Sequence, residues 1–177
     1  MPELRLLTLD AAAFADRHAV ARAIAGHEPD VAVVHGAPSL LRWRSTCAAV
    51  AREAGLVVVG GGRPAGGTLV LSDLGVDVEA QQEHVIGSAL APRPTGLFVA
   101  SLRRLGGPFV IAAGRVPPAM AGLAGLQHVV SGIDVTAPPQ VVALAGRDVT
   151  ADERLAPRSR PVTGGVLVEL TLTEVPA

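Results

Sequence analysis

The chain has 177 residues, 49% of them hydrophobic, and a formal net charge of -1. That is enough apolar material for one sizeable core, and it supplies neither a basic field for nucleic acid nor an acidic tail. One Trp, three Phe and no Tyr leave little for stacking on single-stranded bases, so composition argues against a nucleic-acid partner.

Chain order begins with Leu4 to Asp10, "LRLLTLD", which reads as a buried strand ending at a polar residue. Asp16 is placed to cap a helix whose apolar face carries Val20, Ala23 and Ile24, with Gly26 near its end. A second buried strand, "VAVVH", covers Val31 to His35. The clearest helix follows: Ser39 as cap, Leu40, Trp43, Cys47 and Val50 at helical spacing, and Gly55 as terminator. "LVVV" then predicts a third strand.

Past this point helices give way to strands. "GTLVLSD", "GVDVEAQQEHVIG", "GLFVASLRR" and "PFVIAAG" are strand patterns separated by turn residues, which predicts an antiparallel series. "PPAMAGLAGLQHVVSG" opens on prolines suited to a helix start, and "PQVVALAG" and "GGVLVELTLTEV" close the chain as strands. This order favours an α/β (α+β) layered sandwich with mixed sheets, with residues 1–177 forming one domain.

Five glycines lie in "VVVGGGRPAGGTLVLSD" (Val57 to Asp73). A phosphate cradle needs its glycines ahead of a helix N-terminus, where backbone amides face the anion. Here a β-branched run follows and the chain has no lysine, so the glycines predict a strand-to-strand connection. The single cysteine, Cys47, excludes an internal disulfide and sits on an apolar helix face, where a thiol is usually inert. Arg42 and Arg44 in "RWR" fall on different helix faces and read as solvated charge. No H-x-x-x-H or H-x-H pair supports zinc, and Ser131, His128 and Asp134 read as a polar loop. No stretch approaches the roughly 20 apolar residues of a spanning helix, and the N-terminus lacks a signal-peptide pattern. A cytoplasmic protein without membrane association is the expectation. Asp10 and Asp148, each following a buried strand, are the better candidates for chemistry.

Taken together, "LRLLTLD", "ARAIAGHEPDVAVVHG", "GGTLVLSD", "IAAGRV", "PQVVALAGRDVT" and "PRSRPVTGGVLVELTL" occur in an order that resembles the endonuclease/exonuclease/phosphatase superfamily, the deoxyribonuclease I-like fold. The resemblance runs over nearly the whole chain. It implies an α-β-β-α sandwich with two mixed sheets, truncated relative to the family, and bacterial members are the nearest in pattern. Members are known as Mg²⁺- or Mn²⁺-dependent phosphoesterases. The family's first-strand Asn corresponds to Asp10. Its metal-binding Glu corresponds to Gly36, preceded by His35. Its Thr-His histidine falls on Arg115 or Gly114. Its Asp-x-Asn pair matches Asp148 and Thr150 only with a one-residue shift around Arg147, and its final Ser-Asp-His is replaced by Pro157, Arg158 and Ser159.

A hard divalent cation needs anionic oxygen ligands, and glycine has no side chain to offer. The resemblance with its replaced positions therefore implies a member that has lost metal-dependent hydrolysis, needs no cofactor, and serves as a binding or regulatory module. Its partner would be a protein or a small phosphorylated ligand. The alternative is a phosphoesterase with a rebuilt centre: Mg²⁺ or Mn²⁺ on Asp10 and Asp148 with His35 as a further ligand, and Arg115 on the phosphate. Under either reading Asp10, His35, Arg115 and Asp148 are the candidate site residues.

Overall fold

A computed structural model of the chain describes residues 3–37, 43–87, 91, 94–104, 107–120 and 139–172. The elements run β1 (Glu3–Asp10), α1 (Arg17–His27), β2 (Val31–His35), α2 (Trp43–Ala54), β3 (Val57–Gly62), β4 (Thr68–Ser72), β5 (Asp77–Val85), β6 (Gly96–Arg104), β7 (Gly107–Arg115), β8 (Val141–Leu144), β9 (Thr150–Ala151), β10 (Arg158–Val162) and β11 (Gly165–Thr171).

β1 shows how the layers arise. Successive side chains of a strand point to opposite faces. Leu4 and Leu6 therefore enter one apolar cluster, shared with Val33, Val70, Phe98, Ile111 and others from both sheets. Leu7 and Leu9 enter a second, shared with Val20 and Ile24 of α1 and with Cys47 and Val50 of α2. A strand buried on both faces needs the continuous apolar run "LRLLTL" rather than strict alternation.

The two sheets are mixed. The first has the order β10-β11-β1-β2-β4-β3, with β1 parallel to β2 and antiparallel to β11. The second has the order β5-β6-β7-β8-β9, with β7 parallel to β8 and its other pairs antiparallel. The sheets stack over Phe98 and Phe109, each 1% exposed. Fully burying a side chain of this size contributes about 3 kcal/mol. Helices α1 and α2 cover the outer face of the first sheet. Among the described residues no helix is long and apolar enough to cross a membrane.

The predicted first helix starts where expected: the Asp16 carboxylate accepts from the Ala19 amide at 2.8 Å. It ends one residue past Gly26, with Glu28 in the left-handed region at φ 46° instead of a glycine. The predicted cap Ser39 and Leu40 lie outside the described residues; the helix expected to start at the prolines of "PPAMAGLAGLQHVVSG" shows only the short turn Pro118–Met120, and the rest of that stretch lies outside the described residues. The predicted antiparallel series is broken at one point, because β4 belongs to the first sheet and β5 to the second. β10 was not expected. It is an exposed edge strand, which tolerates Pro161 and needs no apolar alternation.

The glycines of "VVVGGGRPAGGTLVLSD" lie at the end of β3 and in its link to the antiparallel neighbour β4, on either side of the short turn Arg63–Ala65. Their reason is close approach. A Cβ on Gly60 would lie 2.4 Å from the buried Phe98 ring, and one on Gly62 would lie 2.3 Å from Trp43. No helix follows them, so they hold no phosphate cradle.

Candidate functional site

Three strands change character at the same end of the sandwich. On the face turned toward the other sheet, β1 reads Leu4, Leu6, Thr8, Asp10 and β2 reads Val31, Val33, His35. In the second sheet β7 reads Phe109, Ile111, Ala113, Arg115 on its inward face. Period-two alternation makes each list one face. The apolar part builds the core, and the terminal polar residue emerges where the core stops.

Asp10 and His35 are direct neighbours in the parallel β1–β2 register. The Nδ1 of His35 lies 3.0 Å from the Thr68 hydroxyl at the start of β4. His35 is buried, and its pKa is pushed down to about 4. Desolvation is the main cause; the Asp10 carboxylate opposes it, and the Arg115 cation adds to it. The imidazole is therefore neutral at pH 7. The Asp10 carboxylate is partly committed: its Oδ1 accepts from the Ala12 amide at 3.0 Å, capping the turn Ala11–Ala13.

Asp148 comes from the loop after β8. With Thr8, Asp10, His35 and Arg147 it lines an open pocket of about 330 Å³. Asp10, His35 and Asp148 thus line one pocket; Arg115 is not part of its lining, although its charge acts on His35. Arg147 is the residue that sequence reasoning missed, since it read as an intrusion into a motif. Its signal was its place beside Asp148 in a loop following a buried strand.

The donor set does not fit a hard divalent cation. Among the described residues no three His, Cys, Asp or Glu side chains lie close enough to hold one ion. Gly36, at the strand end where a carboxylate ligand would be needed, has φ 70°. A Cβ there would stand 3.2 Å from Asp10 Oδ1. A glutamate at that position would be strained and would press on the neighbouring carboxylate.

Other polar features play different parts. A second, largely apolar pocket of about 230 Å³ lies between the helices and the first sheet, and Cys47 borders it. Burial pushes that thiol up to about 11, which suppresses the reactive thiolate. The Arg44 guanidinium sits 5.2 Å from the Trp43 ring centroid, a surface cation–π contact. Ser131, His128 and Asp134 lie outside the described residues.

The His35 environment makes a testable prediction. A histidine whose folded pKa is depressed supplies stability above its unfolded value near 6.5, and that stability is lost as pH falls. We expect the protein to lose stability between pH 6.5 and about 4, and His35→Gln to flatten that slope. Denaturant midpoints across this range check it, alongside an NMR titration of the His35 ring. A ring titrating near 6.5 would contradict the buried, neutral assignment.

No family model and no curated protein matches the sequence. The fold, in contrast, matches solved structures. A humanized TDP2 from D. rerio superposes with TM-score 0.57 at 11% identity, over 98% of this chain and 86% of that one. An endonuclease/exonuclease/phosphatase from Bacteroides vulgatus gives TM-score 0.57 at 11% identity, over 81% of this chain and 65% of that one. Sphingomyelinase C from Streptomyces griseocarneus gives 0.55 at 16%, over 81% and 63%. The chain has the fold of endonuclease/exonuclease/phosphatase structures, and it spans less than two thirds of the latter two.

Proposed function

We propose that this chain keeps the two-sheet sandwich of these phosphoesterases without their metal-dependent hydrolysis, and that it acts in the cytoplasm as a binding or regulatory module. The observation that carries this reading is the donor set: no three metal-donating side chains converge among the described residues, and Gly36 stands at the strand end beside Asp10. Without a divalent cation, the charge that develops on a phosphoryl group in the transition state loses a stabiliser worth several kcal/mol. Arg115 carries a fixed positive charge and cannot serve as a general base at neutral pH. Its guanidinium is suited to holding an oxyanion.

The ligand on this reading is a small phosphorylated or otherwise anionic molecule, or a protein segment bearing such a group. The pocket beside His35 offers room for a few such groups, and the near-neutral net charge gives no long-range pull on a nucleic acid. The test is calorimetric titration of EDTA-treated protein with Mn²⁺, paired with hydrolysis assays on bis-p-nitrophenyl phosphate and p-nitrophenyl phosphate. We expect no binding heat at two temperatures and no metal-dependent turnover. A stoichiometric Mn²⁺ site, with turnover abolished by Asp10→Ala and by Asp148→Ala, would establish the rival reading of a rebuilt phosphoesterase centre.

A further inference from the structure

The helices and the first sheet do not fill the space between them. A pocket of about 230 Å³ is left there, walled by Phe14 after β1, Val20 of α1, Val34 of β2, Cys47 and Val50 of α2, and Leu69 of β4. Val34 and Leu69 belong to the apolar cluster under the helices, so this pocket lies across the sheet from the inward face that carries His35. The room comes from small residues: Ala11, Ala15, Gly36 and Ala37 complete the wall with almost no side chain. The Phe14 ring does not occupy the space. It lies against the turn between β10 and β11, where a Cβ on Gly164 would stand 2.7 Å from Phe14 Cε2. Among the described residues the charged groups on the lining are Asp16 and Arg17, both exposed at the start of α1. The Asp16 carboxylate already accepts from the Ala19 amide at 2.8 Å, and Arg17 Nε lies 3.5 Å from His18 Nε2. Cys47 is protonated at neutral pH and presents a neutral, polarisable wall. Water inside such walls finds few hydrogen-bond partners.

We propose that this pocket binds a small neutral apolar molecule, the size of one substituted ring, seated between α1, α2 and the outer face of the first sheet. It differs in place and in chemistry from the anion assigned to the pocket beside His35. Size sets the class. An apolar cavity of about 150 Å³ takes benzene, so about 230 Å³ accommodates a ring with a short substituent. It falls short of the roughly 300 Å³ and more of pockets that hold drug-sized ligands and cofactors. The lining sets the charge. A carboxylate on the ligand would meet Asp16 as well as Arg17, and an ammonium would meet Arg17 as well as Asp16. Neither gains a net attraction, and either would leave water for apolar walls, which is costly. An uncharged body has no such cost, and displacing poorly held water favours its entry. Occupancy is felt close by, because Ala11 follows Asp10 and Gly36 follows His35 in the chain.

The experiment follows backbone amides by ¹H–¹⁵N NMR while the wild-type protein is titrated separately with benzyl alcohol, benzoate and benzylamine. The three probes share one ring and differ in charge. We expect benzyl alcohol to shift the amides of Ala11, Gly36 and Cys47 saturably at millimolar affinity, and the two charged probes to bind at least about tenfold more weakly. Cys47→Leu extends a side chain into the space. It is expected to weaken benzyl alcohol about tenfold while Tm holds or rises, because the added carbons occupy room that is already there. Val85→Ala, on the exposed strand β5, is expected to leave binding unchanged. No saturable shift up to roughly 20 mM benzyl alcohol, well beyond millimolar affinity, overturns the inference. Equal affinity for all three probes overturns it too, as do saturable shifts confined to residues away from this pocket. If Cys47→Leu fails to fold, Ala15→Leu narrows the same pocket from its exposed side. Binding that survives the folded variant unchanged would overturn the placement of the ligand.

Discussion

Gly61→Ala is expected to destabilise the protein by about 3–5 kcal/mol, the sum of backbone strain and overpacking at one residue. Gly61 has φ 99°, a region that L side chains rarely adopt. A Cβ there would sit 2.2 Å from the carbonyl oxygen of Thr68, its close neighbour on the paired strand β4. The obstacle is backbone, so no side-chain rotation relieves it. Moving β3 away would break the bond in which Gly61 N–H donates to Glu83 Oε1 at 3.2 Å, which caps this edge from the other sheet. Moving β4 would disturb Thr68, and with it the contact to His35. We therefore expect Tm to fall by roughly 10 °C, at 2–4 °C per kcal/mol for a chain of this size. Gly26 serves as the control, since a Cβ there meets nothing within 4 Å. A loss below about 1 kcal/mol at Gly61, the ordinary cost of a point substitution, would show that the hairpin relaxes freely.

How far the fold could be read in advance depended on what each strand touches. β1, β2, β6 and β7 lie inside a sandwich and are buried on both faces, so their apolar runs were plain. β10 exposes most of its length and contains a proline, and nothing in "RSRPV" encodes a strand beyond its partner's edge. The passage of the chain from one sheet to the other between β4 and β5 was hidden for a similar reason. A turn near Asp73 looks the same whether it joins hairpin strands or crosses a sandwich. For the site, Asp10 and His35 were legible as polar ends of apolar strands. Thr68 was not, because its contact with His35 depends on β2 and β4 being neighbours across 33 residues of sequence. The burial of Arg115 Nε, which has no hydrogen-bond partner among the described residues, was invisible too: an arginine at a strand end looks solvated until the turn packed against it is known.

At the end of the sandwich opposite the pocket, Arg104→Met is expected to cost about 3–5 kcal/mol, the usual result of stripping the partner from a buried charge. Arg104 ends β6 in one sheet and reaches across to the other. Its Nη1 pairs with Asp30, ahead of β2, and its Nη2 lies 3.8 Å from Asp73, past β4. Asp30 is buried and also accepts from the Arg5 amide at 2.7 Å. Even so, its carboxyl is held above the ordinary 3.8, because desolvation outweighs the Arg5 amide and the Arg104 charge. The sign follows from proton linkage. A raised carboxyl pKa means the native state binds the proton more tightly than the unfolded chain. Its contribution is therefore most favourable below 3.8 and is lost as pH rises through the folded value. Removing Arg104 deletes two interactions that favour the ionised form, so the folded pKa climbs further. The deficit of Arg104→Met should then be small near about pH 4 and grow toward about pH 7, and adding Asp30→Asn should recover most of it. Urea denaturation of both variants across that range measures this directly. A deficit independent of pH, or one that Asp30→Asn does not relieve, would mean that Arg104 stabilises the sandwich through its stem and its bond to the Glu3 carbonyl, rather than by neutralising Asp30.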